Sequence, residues 1–154
     1  MIAWFIVAWV AALQATAVPA AIETKHLTVS VSSGAVKAGK VALHIDVTPR
    51  EKMHVYAPGQ PGYIPIALTL DPDAPVKVSG KPKYPAAAKF FMPALNETQL
   101  VYSNPFRITQ DVTVSPKAPS GPLTIKGTLR YQACDDAICY KAATVAVSWT
   151  VANP

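Results

Sequence analysis

Three stretches of this sequence alternate apolar and polar side chains with a period of two, and that pattern limits the fold more than any other feature. In Lys40–Val47, Val41, Leu43, Ile45 and Val47 fall on one face and Ala42, His44 and Asp46 on the other. Leu123, Ile125, Gly127, Leu129 and Tyr131 alternate with Thr124, Lys126, Thr128, Arg130 and Gln132. Val145, Val147, Trp149 and Val151 do the same against Thr144, Ala146, Ser148 and Thr150. A period of two places one face of a strand on a core and the other in water, the mark of antiparallel sheets. Shorter extended runs fill the intervals: His26–Val31, Met53–Tyr56, Tyr63–Leu70, Val76–Val78, Leu100–Tyr102, Phe106–Ile108 and Val112–Val114. Pro65 puts the Tyr63–Leu70 run at a sheet edge or a strand start, because proline cannot donate to a ladder.

Fourteen of the 15 prolines follow residue 19, and helical periodicity is nearly absent beyond that point. Seven to nine short strands at roughly 10-residue spacing, with no helical crossover, predict an all-β chain folded as an immunoglobulin-like antiparallel β-sandwich. Residues 80–98 read as the longest irregular region, with Pro82, Pro85 and Pro93 and the run Phe90-Phe91-Met92. Adjacent aromatic residues in a loop either plug the end of the core or form a lid over something nearby.

Residues 2–13 are uncharged and largely apolar, and small-x-small sites follow at Ala15-Thr16-Ala17 and Val18-Pro19-Ala20. The run is shorter than the ~20 apolar residues of a membrane span. It reads as a secretory signal peptide over residues 1–20, with residues 21–154 as one exported domain. An uncleaved anchor is the alternative, since no Lys or Arg precedes the apolar run. The net charge of +5 is spread over single lysines without a basic run, which argues against nucleic-acid binding. No serine-histidine-aspartate or paired-glutamate set points to a hydrolase, and neither a small-molecule substrate nor a cofactor is expected.

The sequence has two cysteines, Cys134 and Cys139, inside Tyr131-Gln132-Ala133-Cys134-Asp135-Asp136-Ala137-Ile138-Cys139-Tyr140. Two cysteines in an exported protein are usually paired. Closing a loop of about six residues adds only ~2 kcal/mol on the chain-entropy model. Such a bond can open and close without unfolding the domain, as redox cycling requires. A structural hairpin disulfide in a non-enzymatic interaction module remains open. So does copper handling, in which the two thiolates with His54 and Met92 would bind Cu(I); spacing gives no dedicated metal motif. Asp135 and Asp136 lie between the cysteines and disfavour a thiolate there.

The run Tyr-Gln-Ala-Cys-Asp-Asp-x-x-Cys, together with Met53-His54-Val55-Tyr56-Ala57-Pro58, resembles the N-terminal periplasmic domain of the disulfide reductase DsbD and its relatives. The resemblance covers roughly residues 24–152. It implies an immunoglobulin-like domain with protein-disulfide reductase-like chemistry, carrying electrons from a membrane thiol reductase to periplasmic thioredoxin-fold partners, cytochrome c maturation factors among them. By the same resemblance Cys139 forms the mixed disulfide and Cys134 resolves it. His54, Tyr56, Tyr131, Asp135 and Asp136 surround the pair, and Phe90, Phe91 and Met92 belong to a cap loop that shields it. The sequence departs from the family pattern after the second cysteine, where Tyr140-Lys141-Ala142-Ala143 replaces a Pro-Pro pair. It also lacks the membrane and thioredoxin-like domains, so the expectation is either a stand-alone carrier serving a separate membrane reductase or a domain that has lost redox coupling and become a binding module.

Overall fold

The computed structural model describes residues 20–154. Apart from Ala20, the expected signal peptide lies outside the described residues. Twelve strands follow one another: β1 (Ile22–Glu23), β2 (Leu27–Ser33), β3 (Lys40–Pro49), β4 (His54–Tyr56), β5 (Ala67–Leu70), β6 (Val76–Val78), β7 (Ala88–Met92), β8 (Glu97–Tyr102), β9 (Phe106–Val114), β10 (Gly121–Tyr131), β11 (Ala133–Cys134) and β12 (Ala143–Asn153). One 3-10 turn, Pro93–Leu95, joins β7 to β8.

The strands form three antiparallel sheets, ordered β1-β2-β3-β9-β6, β12-β10-β5 and β11-β4-β8-β7. The long alternating stretches are the backbones of the first two. Val41, Leu43, Ile45 and Val47 of β3 are at most 4% exposed, and Leu123, Ile125, Val147, Trp149 and Val151 meet them in one core. Trp149 ties the layers together by donating its indole N–H to the His44 carbonyl at 3.0 Å. The chain is thus an all-β, immunoglobulin-like sandwich. Its interior rests on apolar burial worth roughly 25 cal/mol per Å².

The structure differs from the sequence reading in four places. Residues 88–102 are a hairpin rather than an irregular loop, with Ala88–Met92 paired to Glu97–Tyr102. Its alternation is too short, and too close to Pro93, to stand out from sequence. The turn closes on Asn96, a left-handed residue at φ 50° whose N–H reaches the Pro93 carbonyl. Phe106–Val114 is one strand instead of two, because buried Gln110 bonds the Gly80 and Asp111 carbonyls and so sits in the ladder without breaking it. The Tyr63–Leu70 run is regular only from Ala67, just beyond Pro65, and β5 is indeed a sheet edge. Finally, two- and three-residue strands raise the number above the seven to nine expected.

The third sheet positions the site. β10 is paired residue for residue with β12 as far as Tyr131↔Ala143. After Gln132 the chain changes partner, and Ala133 and Cys134 pair with Val55 and His54 of β4. Gln132 holds this crossing, accepting from Ile64 N–H and donating to the Tyr140 carbonyl, both at 3.2 Å. Strand alternation then sorts the side chains. Val55 and Ala133 enter the main core, whereas Tyr56 and Cys134 form a second cluster with Val101.

Candidate functional site

Cys134 and Cys139 form a disulfide. The two sulfurs belong to residues in opposite environments: Cys134 is fully buried, and Cys139 lies exposed at the end of the loop. The loop is held by its first carboxylate. Asp135 accepts from the N–H groups of Ala137 and Ile138, each at 2.8 Å, and from the Tyr140 hydroxyl at 2.8 Å. Those donors, the backbone ones first, hold its carboxyl below the usual range. The expectation that both aspartates bear on the sulfurs therefore divides: Asp135 is committed to the turn, and Asp136 stands exposed beside it.

Tyr56 spans the disulfide. Its hydroxyl oxygen is 3.2 Å from the Sγ of Cys139 and 3.2 Å from that of Cys134. Neither sulfur of a disulfide carries a proton, so the phenol is the donor. Burial, together with neighbouring Tyr63 and Glu97, pushes the Tyr56 hydroxyl up to about 12. It is therefore kept as O–H at any physiological pH, a fixed donor aimed at the sulfurs.

His54 stands two residues before Tyr56 on the same face of β4, its ring 6.1 Å from that of Tyr56 and 4.9 Å from that of Phe90. It is 2% exposed, and its Nε2 has no hydrogen-bond partner. Burial lowers its pKa, while Asp136 and Asp135 act in the opposite direction. Phe90 packs on the Tyr56–Val101–Cys134 cluster from the hairpin, whereas neighbouring Phe91 is 54% exposed on the opposite face. Phe90 alone of the two packs on the cluster that holds Cys134. Met92 is buried at the end of β7, opposite Glu97, and is not among the residues packed on the cluster. Tyr131 turns into the main core and donates to Thr24 Oγ1 at 3.2 Å, away from the disulfide. Among the described residues no three of His, Cys, Asp and Glu are grouped to hold a metal ion.

Sequence reasoning missed the polar shell behind Tyr56. The Tyr63 ring stacks on that of Tyr56 at 4.2 Å. Its hydroxyl donates to Glu97 Oε2 at 2.9 Å and accepts from Gln99 Nε2 at 3.2 Å. Gln60 reaches the other Glu97 oxygen at 3.4 Å. These residues come from a Gly/Pro-rich loop and the second strand of the hairpin, so only tertiary structure unites them.

An immunoglobulin-like sandwich carrying a short-loop disulfide, one half buried and one half exposed, defines a class of thiol–disulfide exchange domain. The comparisons narrow it. Residues 20–150 match the family model of the thiol:disulfide interchange protein DsbD, N-terminal, and the chain belongs to that family. The N-terminal periplasmic domain of ScsB from Proteus mirabilis superposes with a TM-score of 0.59 at 12% identity, over 84% of this chain and 47% of that one. This chain therefore spans about half the length of that structure. The Neisseria meningitidis DsbD N-terminal domain in the reduced form is also similar, with a TM-score of 0.46 at 19% identity over 80% of this chain and 84% of that one. No curated protein matches in sequence.

Proposed function

We propose that this protein is an exported thiol–disulfide carrier, in which the Cys134–Cys139 pair accepts electrons from a membrane thiol reductase and passes them to periplasmic thioredoxin-fold proteins. The observation that carries this reading is the asymmetry of the pair. A partner thiolate has access to the exposed Cys139 and none to Cys134, which is fully buried. Attack at Cys139 Sγ breaks the Cys134–Cys139 bond, forms a bond between Cys139 and the partner, and leaves the electron pair on Cys134. The Tyr56 O–H then faces the nascent Cys134 thiolate, and a hydrogen bond to a charged group is worth about 1.5–3 kcal/mol. A second thiolate of the reductant then attacks the mixed disulfide and leaves Cys134 and Cys139 reduced; in the onward transfer Cys139 attacks the acceptor's disulfide, and the Cys134 thiolate attacks Cys139 Sγ to release the reduced acceptor.

Phe90 shields the buried Cys134 side of the pair, leaving Cys139 as the point of attack. Ile138, next to the exposed sulfur and itself 55% exposed, offers the partner an apolar contact. Residues 1–20 serve as the export signal in this reading, and residues 21–154 as the working domain.

Two measurements test it. The pair should have a reduction potential above about −300 mV, where cycling disulfides lie, and a value well below that identifies an inert staple. A Cys134→Ser variant should accumulate a mixed disulfide with a thioredoxin-fold protein through Cys139. If Cys139→Ser traps the partner instead, the two roles are reversed.

A further inference from the structure

Hydrogen bonds close the loop between the cysteines without help from sulfur. At its base the Tyr140 N–H donates to the Ala133 carbonyl at 2.9 Å, and Gln132 Nε2 donates to the Tyr140 carbonyl at 3.2 Å. Within the loop the Asp135 N–H donates to the Ile138 carbonyl at 2.9 Å. The Asp135 carboxylate accepts from the Ala137 and Ile138 N–H groups and from the Tyr140 hydroxyl, each at 2.8 Å. Cys134 and Cys139 stand directly opposite each other across this network.

Tyr140 enters the network twice, through its backbone at the base and through its hydroxyl at the turn. Its ring is held from the other side by the corner between β1 and β2. The His26 ring lies 4.5 Å from it at 39°, and the Lys25 ammonium stands 5.0 Å over its face. A cation is attracted by the negative π cloud of such a ring. The corner beneath is itself fixed. Thr24 Oγ1 accepts from the N–H groups of His26 and Leu27 at 3.2 and 3.0 Å, and the His26 carbonyl accepts from the Arg50 N–H at 2.9 Å. The Tyr140 side chain therefore bridges a corner of the framework and the turn of the disulfide loop.

We infer that Tyr140 is a positioning residue for exchange, which keeps Cys139 opposite Cys134 while the pair is reduced. The inference rests on the exchange reading given above. In the oxidised protein the sulfur bond orders the loop by itself. Once that bond is broken, the bonds of Asp135 and Tyr140 hold the turn, and losing them would multiply the loop's conformations. A loop kept closed has little entropy left to lose when the sulfurs rejoin. The Cys134 thiolate then meets Cys139 Sγ as an oriented intramolecular nucleophile. Its attack breaks the bond between Cys139 and the acceptor, the acceptor's sulfur departs with the electron pair, and the Cys134–Cys139 disulfide re-forms. The pair loses two electrons, the acceptor gains them, and the thiol protons exchange with solvent. The Tyr140 hydroxyl is bonded to Asp135 and takes no part in the transfer itself.

The test uses the reduced protein and an aromatic disulfide, 5,5′-dithiobis(2-nitrobenzoate), whose coloured thiolate reports each step. Attack by Cys139 releases the first thiolate, and closure by Cys134 releases the second. Tyr140→Phe keeps the ring between Lys25 and His26 and removes only the bond to Asp135. It should slow the second phase about 10-fold, the low end for loss of a hydrogen bond to a charged group. The first phase should not slow, because Cys139 is exposed. In glutathione redox buffers the disulfide should become easier to reduce by the same factor, a rise of about 30 mV in potential. Tyr140→Leu, which gives up the ring contacts as well, should slow closure further. Second-phase rates equal to the parent's in both variants overturn the positioning role, and so does equal slowing of both phases. A parent protein that releases no second thiolate overturns the exchange reading beneath it.

Discussion

Cys134 and His54 stand directly opposite each other in the two-residue pairing of β11 with β4, so both side chains rise from the same face of the sheet. A neutral, buried imidazole therefore borders the buried sulfur, and acid has a defined effect there. The folded His54 pKa is lowered from 6.5, with burial the first cause. The unfolded chain then binds more protons than the native one below that pH, so stability falls as pH drops through 6.5 towards the folded value. Each such site contributes a slope of at most ~1.4 kcal/mol per pH unit. His26 is lowered in the same direction. Urea midpoints of the oxidised protein should decline below pH 6.5, and His54→Phe should flatten the decline by part. A midpoint constant between pH 7 and 5 contradicts the buried neutral state.

Removing the phenol that spans the sulfurs should act on chemistry more than on folding. Tyr56→Phe keeps the ring stack with Tyr63 but loses the donor 3.2 Å from each sulfur. Loss of a hydrogen bond to a developing thiolate, about 1.5–3 kcal/mol, corresponds to roughly 10- to 100-fold in rate. Reduction of the disulfide by dithiothreitol, followed by stopped-flow tyrosine fluorescence or thiol labelling, should slow within that range.

The two phenylalanines of the hairpin should separate cleanly. Phe90→Ala uncovers the cluster of Tyr56, Val101 and Cys134, whereas Phe91 is already 54% exposed. Phe90→Ala should speed reduction by a small thiol several-fold and cost on the order of 1–2 kcal/mol, since the ring is only partly buried. Phe91→Ala should change neither rate nor stability measurably. Equal effects from the two variants would show that the hairpin does not shield the sulfurs.

Away from the site, Gly127 sets how closely β5 approaches β10. A Cβ there would lie 2.7 Å from the Thr69 carbonyl oxygen, a backbone atom with little freedom to move. Gly127→Ala should destabilise the domain by about 1–3 kcal/mol, the usual range for overpacking. The loss should appear in chemical denaturation while the reduction potential is unaltered.

The disulfide itself should matter little to folding. Joining Cys134 to Cys139 closes a short loop, and the double variant Cys134→Ala/Cys139→Ala should lose only ~2 kcal/mol. A much larger loss in thermal melts would return the bond to a structural role.

The residues that were legible from sequence are those whose neighbours lie two positions away. Val41 to Val47 and Leu123 to Tyr131 announce their faces through alternation, and burial follows that alternation. The cysteine pair was legible because a short spacing limits what a bond there can do. Phe90 and Phe91 were not resolved from each other, because only the pairing of β7 with β8 decides which ring turns inward. Tyr131 was placed beside the sulfurs by its nearness in sequence, but the change of partner at Gln132 sends it to the core. Tyr63 and Glu97 carry no local signal at all. Their meeting depends on a proline-rich loop and a hairpin strand that are 34 residues apart in sequence.

The change of sheet at Gln132 has an architectural consequence. Tyr131 and Ala143 face each other as the last rung of the β10–β12 ladder, so residues 132–142 form an excursion from an otherwise continuous hairpin. Of these residues Ala133 joins the main core, while the β10–β12 ladder itself runs without them. The disulfide loop is therefore carried by a ladder whose own rungs do not include it, and it is tied to the framework through the Ala133 side chain and the two hydrogen bonds of Gln132.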